Sequence, residues 1–468
     1  MGKKITARIL PILGLLFLTA YIRSATVDVV YTDYMRLINS YLPNVYSLKP
    51  YLQGDVLTRM PINYIERIIN VGVFGYSTTF DMILGALGLT FIALVIGSFA
   101  AKKNISAAGI LALIVIVFSL DKWEMLTNGS GWVHFWAMGL FYYHYLVYDR
   151  VRSGESKKGD EIKLCVLPIV TILLFAGPYC AIYVGAMLVV YVIDLVGEKA
   201  CERDGLGDRE CCSDGRCVGK CFWVSRLLTL LIPFALYIIS RAFSVEEYAG
   251  ATTESLGSVL ADEPMLLISM GLKSFAADVI GGETVTAFGM PDVLLWILGT
   301  VVIAGYVYAI IVNFKSGLYK KTAMPMLLIL SGLVSHGVVL ISRWIFLDDM
   351  YAMSSRYALQ YMSGVLGIIL TFVMVSECKS KHKAGCRCAN AAAWALIIVF
   401  LAGHLITTGR EIHMAQYRKE NFVIMCEVAI DYENRSDEEL KSILQYHSPA
   451  KTRQALTILK DNKLNVFK

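Results

Sequence analysis

Charged side chains are scarce in this sequence of 468 residues. Only 17% of the residues are Asp, Glu, Lys or Arg, whereas 56% are hydrophobic, and the mean hydropathy is +0.57. Because the surface of a soluble domain needs far more charge, this composition excludes a soluble enzyme, a coiled coil and a disordered protein. The net charge of +5 is small. The charged residues are distributed according to the side of a membrane and do not form a basic patch for nucleic acid.

Short catalytic motifs are also missing. The sequence contains no P-loop, no Gly-x-Ser-x-Gly motif, no His-Glu-x-x-His motif and no dinucleotide fingerprint. No internal repeat has the spacing of a solenoid or of an inverted-repeat transporter. These absences give no support to an enzyme that uses a cytosolic nucleotide.

Long hydrophobic runs are abundant instead, and several reach about 18 residues, enough to cross ~30 Å of hydrocarbon. We therefore predict an all-α polytopic membrane protein with about eleven transmembrane helices. The block 164–196 is too long for one ordinary helix, and Gly177-Pro178 near its middle predicts two short helices that meet at a break. The spans are expected near 9–21, 82–100, 105–120, 133–148, 164–196, 223–241, 292–313, 323–341, 357–376 and 391–407.

Lys and Arg in the loops set the predicted orientation, because cytoplasmic loops carry an excess of both. The N-terminus and the basic loops 101–104, 149–163, 197–222, 314–321 and 377–390 are expected in the cytoplasm. The outside then receives the loops 24–81, 121–132, 242–291 and 342–356.

The chain divides into a transmembrane domain, 1–407, and a small helical tail, 408–468. An odd number of spans places the tail outside. Within it, Ser436 to Glu439 form a capping-box pattern that opens one helix, and Ser448-Pro449 opens another.

Ionisable residues gather at the outer ends of the spans and are almost absent from their middles. A transporter usually places its polar sites at mid-membrane depth, so the pattern favours chemistry at the outer surface on a lipid-borne substrate. His144, His336 and His404 are isolated on apolar segments and are interpreted as satisfied core groups.

The first outer loop offers a candidate base. Asp33 lies just beyond a span, and its carboxylate could take a proton from a sugar hydroxyl. Alternatively Asp33 is the N-cap of the helical segment that follows, because Asp is a favoured capping residue.

The second outer loop brings Asp121, Glu124 and His134 close in sequence. They could bind an acceptor or a divalent cation such as Mg or Mn, which prefers carboxylate oxygens. The alternative is a solvated turn with ordinary exposed acids.

The last loop between spans has Arg343 and Arg356 on either side of Asp348 and Asp349. Arginine binds phosphate through a planar fork, and the two aspartates are further candidates for acceptor or metal contacts. The alternative is that the arginines pair with these aspartates.

Eight of the eleven cysteines fall in two predicted cytoplasmic loops. Cytosolic thiols stay reduced, so the sequence allows either a structural zinc clasp that joins the loops or free thiols, since the spacing is not diagnostic. The residues are Cys201, Cys211, Cys212, Cys217, Cys221, Cys378, Cys386 and Cys388.

A first span, a long outer loop that opens with acids, many spans with short inner loops and the element Ser355-Arg356-Tyr357 at an outer span end together resemble the GT-C glycosyltransferases. The likeness is greatest to the multi-span proteins of bacterial surface-polysaccharide pathways. It covers the whole chain as architecture, although its motifs are short.

The resemblance implies a polyprenyl-phosphate sugar as donor and a glycan, lipid or polymer as acceptor, at the outer face of a bacterial plasma membrane. Asp33 is then the base, with Asp28 as its rival, and Arg343, Arg356 and Arg59 are the phosphate ligands. In the family two acids often stand close together in this loop, whereas here they are five positions apart.

Two other classes remain open. A polymerase or ligase of lipid-linked glycans would use the same arginines but bind pyrophosphate-linked oligosaccharides. A transporter or flippase would perform no chemistry and would need a polar pathway through the spans.

Overall fold

The computed structural model describes residues 2–42, 44–47, 60–203, 220–241, 251–379 and 387–468. It is 83% helical, and the described residues contain no β-strand, which confirms the prediction of an all-α membrane protein. The helices of eight or more residues are α1 Gly2–Ala25, α2 Asp33–Tyr41, α3 Pro61–Phe74, α4 Thr78–Lys102, α5 Ala107–Phe118, α6 Trp132–Arg152, α7 Asp160–Val170, α8 Cys180–Arg203, α9 Lys220–Arg241, α10 Pro264–Ala276, α11 Asp292–Lys315, α12 Met324–Arg343, α13 Ala358–Lys379, α14 Arg387–Ile430 and α15 Pro449–Asp461.

Eight stretches in the described ranges are long and apolar enough to cross a membrane, so the expected number of about eleven is not confirmed. Helix α5 has only 12 residues, and α6 carries acidic and basic groups in its last turns. The two helices expected within 164–196 form one continuous stretch, Asp160–Gly197. The others are Ile5–Ala25, Thr78–Lys102, Trp223–Arg241, Asp292–Lys315, Met324–Phe346, Ala358–Glu377 and Ala391–Ile430.

The predicted break at Gly177-Pro178 is present. The stretch passes from α7 through a π-helical turn, Thr171–Ala176, and a 3-10 turn, Gly177–Tyr179, into α8. Gly177 has φ +48°, a left-handed conformation that glycine adopts without a Cβ clash. The backbone direction changes at this point.

The two ends of this stretch lie together. Asp160 accepts two hydrogen bonds from Arg150, at 2.9 and 2.8 Å, and Asp194 accepts one from Arg152 at 2.7 Å. The bend lies elsewhere, because the Tyr179 ring is 4.5 Å from the His134 ring at the start of α6. The stretch is therefore a helical hairpin that runs through the bundle and back.

The bundle has two polar ends. The Arg150 end, named for that residue, joins segments that the sequence groups together: Lys102 pairs with Glu155 at 2.5 Å, and Arg152 donates to the Tyr319 carbonyl at 2.7 Å. The opposite end, called the Asp33 end, carries the first loop, the segment before α6 and the segment before α13.

The C-terminal tail packs on the first loop at the Asp33 end. Thr32 donates its backbone N–H to the Leu444 carbonyl at 2.8 Å, and buried apolar side chains of both segments form one cluster. The capping box at Ser436 and Glu439 is present, and α15 begins at Pro449 as expected. The boundary expected at 407–408 falls inside α14, which continues unbroken to Ile430.

Helix α10 enters the bundle from the Asp33 end. Ser269 accepts a hydrogen bond from Trp296 in the second turn of α11, at 2.8 Å, and Asp278, just after α10, accepts one from Tyr306, at 3.0 Å. Tyr306 lies 14 residues into α11 (306 − 292), about 21 Å along its axis. The chain then turns back, because Gly282 lies against the backbone of Met353. The segment predicted as an outer loop is thus re-entrant.

Candidate functional site

A small cavity at the Asp33 end collects four of the sequence-predicted site residues. Asp33, Glu124, His134 and Arg356 line it, and its volume is about 70 Å³. They come from three segments that are far apart in the chain. The remaining lining residues are Met125, Asn128, Ser130 and Gly131.

Asp33 is the first residue of α2 and not its N-cap, which is Thr32. The capping alternative for Asp33 is therefore wrong, although a carboxylate in a first helical turn is favoured by the helix dipole. Within the described ranges no group donates a hydrogen bond to the Asp33 side chain, and that side chain is partly exposed to the cavity. Its oxygens are available to accept a proton.

Glu124 holds Arg356 at the opposite wall. Arg356 Nε donates to Glu124 Oε1 at 2.5 Å, and the Ser355 hydroxyl donates to Oε2 at 3.1 Å. Burial lowers the pKa of Arg356, but the carboxylates of Glu124 and Asp33 outweigh it and raise this pKa above its ordinary value. The guanidinium therefore stays charged.

The two terminal amino groups of Arg356 remain available for a ligand. Of the guanidinium nitrogens, only Nε donates a hydrogen bond in the part of the chain that the structure describes, and the Arg356 side chain is 45% exposed. A guanidinium fixed at Nε presents its other N–H groups in the planar fork that fits two phosphate oxygens.

His134 forms the third wall. Its ring contacts Tyr179, and its buried Nδ1 has no hydrogen-bond partner among the described residues. Next to it, Asn128 accepts hydrogen bonds from the Ser130 backbone at 3.3 Å and from the Ser130 hydroxyl at 2.7 Å. These contacts fix the segment that carries Glu124.

No family model, no curated protein and no solved structure matches this chain.

Asp28 is committed to structure and does not line the cavity. Its Oδ1 accepts from the Thr78 backbone at 2.7 Å, from the Thr78 hydroxyl at 2.8 Å and from Asn465 Nδ2 at 3.0 Å. Its Oδ2 accepts from the Ser77 hydroxyl at 2.7 Å. Asp28 thus joins the start of α4 to the tail, and its prediction as a rival base loses support.

We expect Asp28→Asn to lower the free energy of unfolding by about 2 kcal/mol, because hydrogen bonds to a charged acceptor are among the stronger ones. Activity per folded molecule should be unchanged. Thermal unfolding in detergent micelles, measured beside the wild type, checks the first expectation. Equal stability of the two proteins would show that this carboxylate does not join the two segments.

Asp121 does not line the cavity with Glu124 and His134. Its Oδ1 is 2.6 Å from Lys122 Nζ, and its Oδ2 is 3.3 Å from His404 Nδ1. All three side chains are buried. The structure therefore does not bring Asp121 to the cavity with the other two candidates, because the chain turns its side chain into the bundle.

In the last loop, Asp348, Asp349 and Arg356 have partners other than those of the alternative interpretation. Asp349 accepts from Lys273 at 2.7 Å, and Asp348 accepts from the Met350 backbone at 2.9 Å. Arg356 pairs with Glu124, so the alternative in which this arginine pairs with the aspartates is wrong. Arg343 does not line the cavity, and its guanidinium lies 5.8 Å from the centre of the Tyr357 ring.

Metal sites receive no support from the described side chains, among which no group of three or more His, Cys, Asp or Glu could hold an ion. A Mg or Mn ion at the Asp33 end stays a prediction. Arg59 and the side chains of the eight loop cysteines lie outside the described part of the chain.

The sequence reasoning missed a buried network beneath the cavity. Asp81 Oδ2 accepts from Arg67 Nη2 at 2.7 Å and from the Tyr34 hydroxyl at 2.8 Å, and Oδ1 accepts from Asn70 at 2.8 Å. Burial raises the pKa of the neighbouring Glu66 well above its ordinary value, against the effect of Arg67. An acid in the first turn of a long apolar helix was the available signal for Asp81.

Proposed function

We propose that this chain is a membrane glycosyltransferase that moves a sugar from a polyprenyl-phosphate donor to a glycan, lipid or polymer acceptor. The Asp33 end would face the extracytoplasmic side of a bacterial plasma membrane, with the N-terminus in the cytoplasm. The observation that carries the proposal is the cavity, where a carboxylate that accepts no hydrogen bond from the described residues faces a fixed guanidinium.

Each group has a role in one displacement step. Asp33 takes the proton of an acceptor hydroxyl, and that oxygen forms a bond to the anomeric carbon. The bond from this carbon to the donor phosphate breaks, and the electron pair leaves with the phosphate. Arg356 stabilises the negative charge that develops on the leaving phosphate. A single displacement of this kind inverts the anomeric configuration.

Glu124 and His134 position the other groups of the reaction. Glu124 fixes Arg356 and balances its charge before the donor arrives, since an arginine near hydrocarbon is retained with a partner. His134 lies between the cavity and Tyr179, where its ring can contact the acceptor.

A monophosphate fits this cavity better than a pyrophosphate. Arg356 is the one Lys or Arg side chain that lines the cavity among the described residues. One guanidinium binds one phosphate through two parallel hydrogen bonds. The contrast with a pyrophosphate donor supplies the test.

The full-length protein in liposomes should release polyprenyl phosphate from a polyprenyl-phosphate sugar when an acceptor glycan is added, and should not consume the matching pyrophosphate-linked donor. Consumption of the pyrophosphate donor alone would identify a polymerase or ligase and contradict the proposal. Movement of the donor between leaflets with no bond broken would identify a flippase and also contradict it.

Arg356→Lys keeps the charge and removes the planar fork. We expect about a tenfold loss of transfer rate, the equivalent of one hydrogen bond to a charged group. The matched control is Arg435→Lys in the tail, whose Nε is 3.0 Å from Asp431. The same loss in both variants would show that the effect does not come from the cavity.

A further inference from the structure

A second polar centre lies inside the bundle, apart from the cavity. Asp278 follows the re-entrant helix α10 and is 1% exposed, and His336 of α12 is 3% exposed. His336 Nε2 is 3.5 Å from Asp278 Oδ2. The interpretation of His336 as a buried core group agrees with the structure, but the sequence did not indicate its carboxylate partner. Buried ionisable groups at membrane depth are costly and are retained where they have a role.

The position of this centre is built into the packing. The His336 ring lies between the Phe275 ring, with centroids 3.9 Å apart, and the Tyr361 ring, 4.2 Å away. Tyr306 donates to Asp278 Oδ2 at 3.0 Å. A Cβ on Gly364 would lie 1.6 Å from the Tyr306 hydroxyl, so only glycine leaves room for it.

The hydrogen bonds of Ser274 determine whether His336 Nδ1 carries a proton. The Ser274 hydroxyl donates its single hydrogen to the Gly271 carbonyl at 2.7 Å. His336 Nδ1 lies 3.2 Å from the same hydroxyl oxygen. Because that hydrogen is already used, the oxygen accepts here, and Nδ1 of His336 carries a proton.

The other nitrogen faces acceptors. Asp278 Oδ2 and the Tyr306 hydroxyl are each 3.5 Å from Nε2, and the hydroxyl hydrogen is directed to the carboxylate. Oδ1 of Asp278 is buried and has no hydrogen-bond partner among the described residues. A neutral His336 beside an ionised Asp278 would thus leave lone pairs facing each other and a buried charge without compensation, which is unfavourable.

We propose that Asp278 and His336 form a buried proton-binding site that holds one proton in addition to the proton on His336 Nδ1. The proton lies either on Nε2, which gives an ion pair, or on the carboxyl group, which gives a neutral pair. In both forms it removes the conflict between the two acceptors and ties α10 to α12.

His404 of α14 provides an internal contrast. Its Nε2 donates to the Asp278 backbone carbonyl at 3.1 Å, and its Nδ1 can accept from the Ser119 hydroxyl at 2.9 Å. Nδ1 also lies 3.3 Å from Asp121 Oδ2, but Lys122 balances that carboxylate at 2.6 Å. A neutral His404 with its proton on Nε2 therefore leaves no buried charge without a counter-charge. The two histidines next to Asp278 should therefore be opposite tautomers at neutral pH or differ in charge.

Polar contacts continue from the site to the segment before α6. His404 joins the Asp278 carbonyl to Asp121, with Lys122 beside it. Asp121 is three positions from Glu124, which lines the cavity. The groups that face the pair are Ser274 of α10, Tyr306 of α11, Tyr361 of α13 and His404 of α14. None of the four supplies a carboxylate or an ammonium group.

Asp278→Asn tests the site because an amide N–H takes the place of the bound proton. The introduced amide would donate an N–H to His336 Nε2 and still accept from Tyr306, so the variant should fold. In the wild type, the protection factors of residues 264–276, which correct amide exchange for its intrinsic dependence on pH, should fall as the pH is raised and the proton leaves. In Asp278→Asn this fall should disappear. Equal pH dependence in the two proteins would overturn the proposal.

Nitrogen-15 NMR of the histidines reads the position of the proton directly in the wild-type protein. We expect His336 protonated on Nδ1, together with either a proton on Nε2 or an infrared band of a protonated carboxyl group that Asp278→Asn removes. His336→Gln and His404→Gln assign the two rings. A neutral His336 with its proton on Nε2 beside an ionised Asp278 would overturn the proposal.

Discussion

Asp33→Asn is expected to reduce sugar transfer by about 10²- to 10⁴-fold, the usual contribution of a positioned general base. Asparagine keeps the shape of the side chain and cannot take a proton from the acceptor. Because no described group donates a hydrogen bond to the Asp33 side chain, the folded structure loses little. The rate of release of polyprenyl phosphate in liposomes and the unfolding temperature of the same sample measure both parts.

The matched control is Asp437→Asn. Asp437 is also the first residue of a helix, Asp437–Ile443, at the same end of the molecule, and it lies outside the cavity. Its replacement should leave transfer unchanged. Full activity of Asp33→Asn would remove Asp33 as the base, whereas equal losses in both variants would indicate a general effect of charge at this end.

Arg67→Leu should have the largest effect on stability, with a loss of about 3–5 kcal/mol in the free energy of unfolding. Arg67 is 1% exposed and is 2.7 Å from Asp81 Oδ2 and 2.5 Å from Glu66 Oε2. Leucine fills part of the volume but leaves the Asp81 carboxylate buried without a cation. Denaturant unfolding in micelles, followed by tryptophan fluorescence, measures the change.

Two further variants separate charge from packing. Arg67→Leu combined with Asp81→Leu removes both charges and should recover part of the loss, because a buried ion pair can be replaced by apolar groups more easily than it can be broken. Arg435→Leu, in an exposed pair with Asp431, should cost less than about 1 kcal/mol. If the double variant is no more stable than Arg67→Leu, the loss of stability comes from packing and not from the unpaired charge.

The cavity could be predicted in part because its residues stand at helix ends. Once loop charges group the loops by side, Asp33, Glu124 and Arg356 must lie at one end of the bundle, and there the structure brings them together. The rule does not say which end residues face inward. Asp121 is three positions from Glu124, and the turn of the chain between them sends the first into the bundle.

The buried centre could not be predicted, because it depends on a re-entrant segment. The polar residues between 242 and 291 are typical of an outer loop, so the sequence did not predict a contact between Asp278 and His336. The structural role of Asp28 also depends on contacts across long sequence separations. Its hydrogen bonds to Thr78 and Asn465 depend on how the tail docks, and no local pattern records that docking.

The contact of Asn465 with the first loop imposes an order on the assembly of the protein. Asn465 accepts from the Val30 backbone at 3.2 Å and donates to Asp28, 437 positions away. During synthesis the first loop emerges long before residue 465 is made. The docking of the tail on the first loop is therefore completed only after nearly all the helices have been inserted, so a ribosome-bound, partly translated chain should still be inactive.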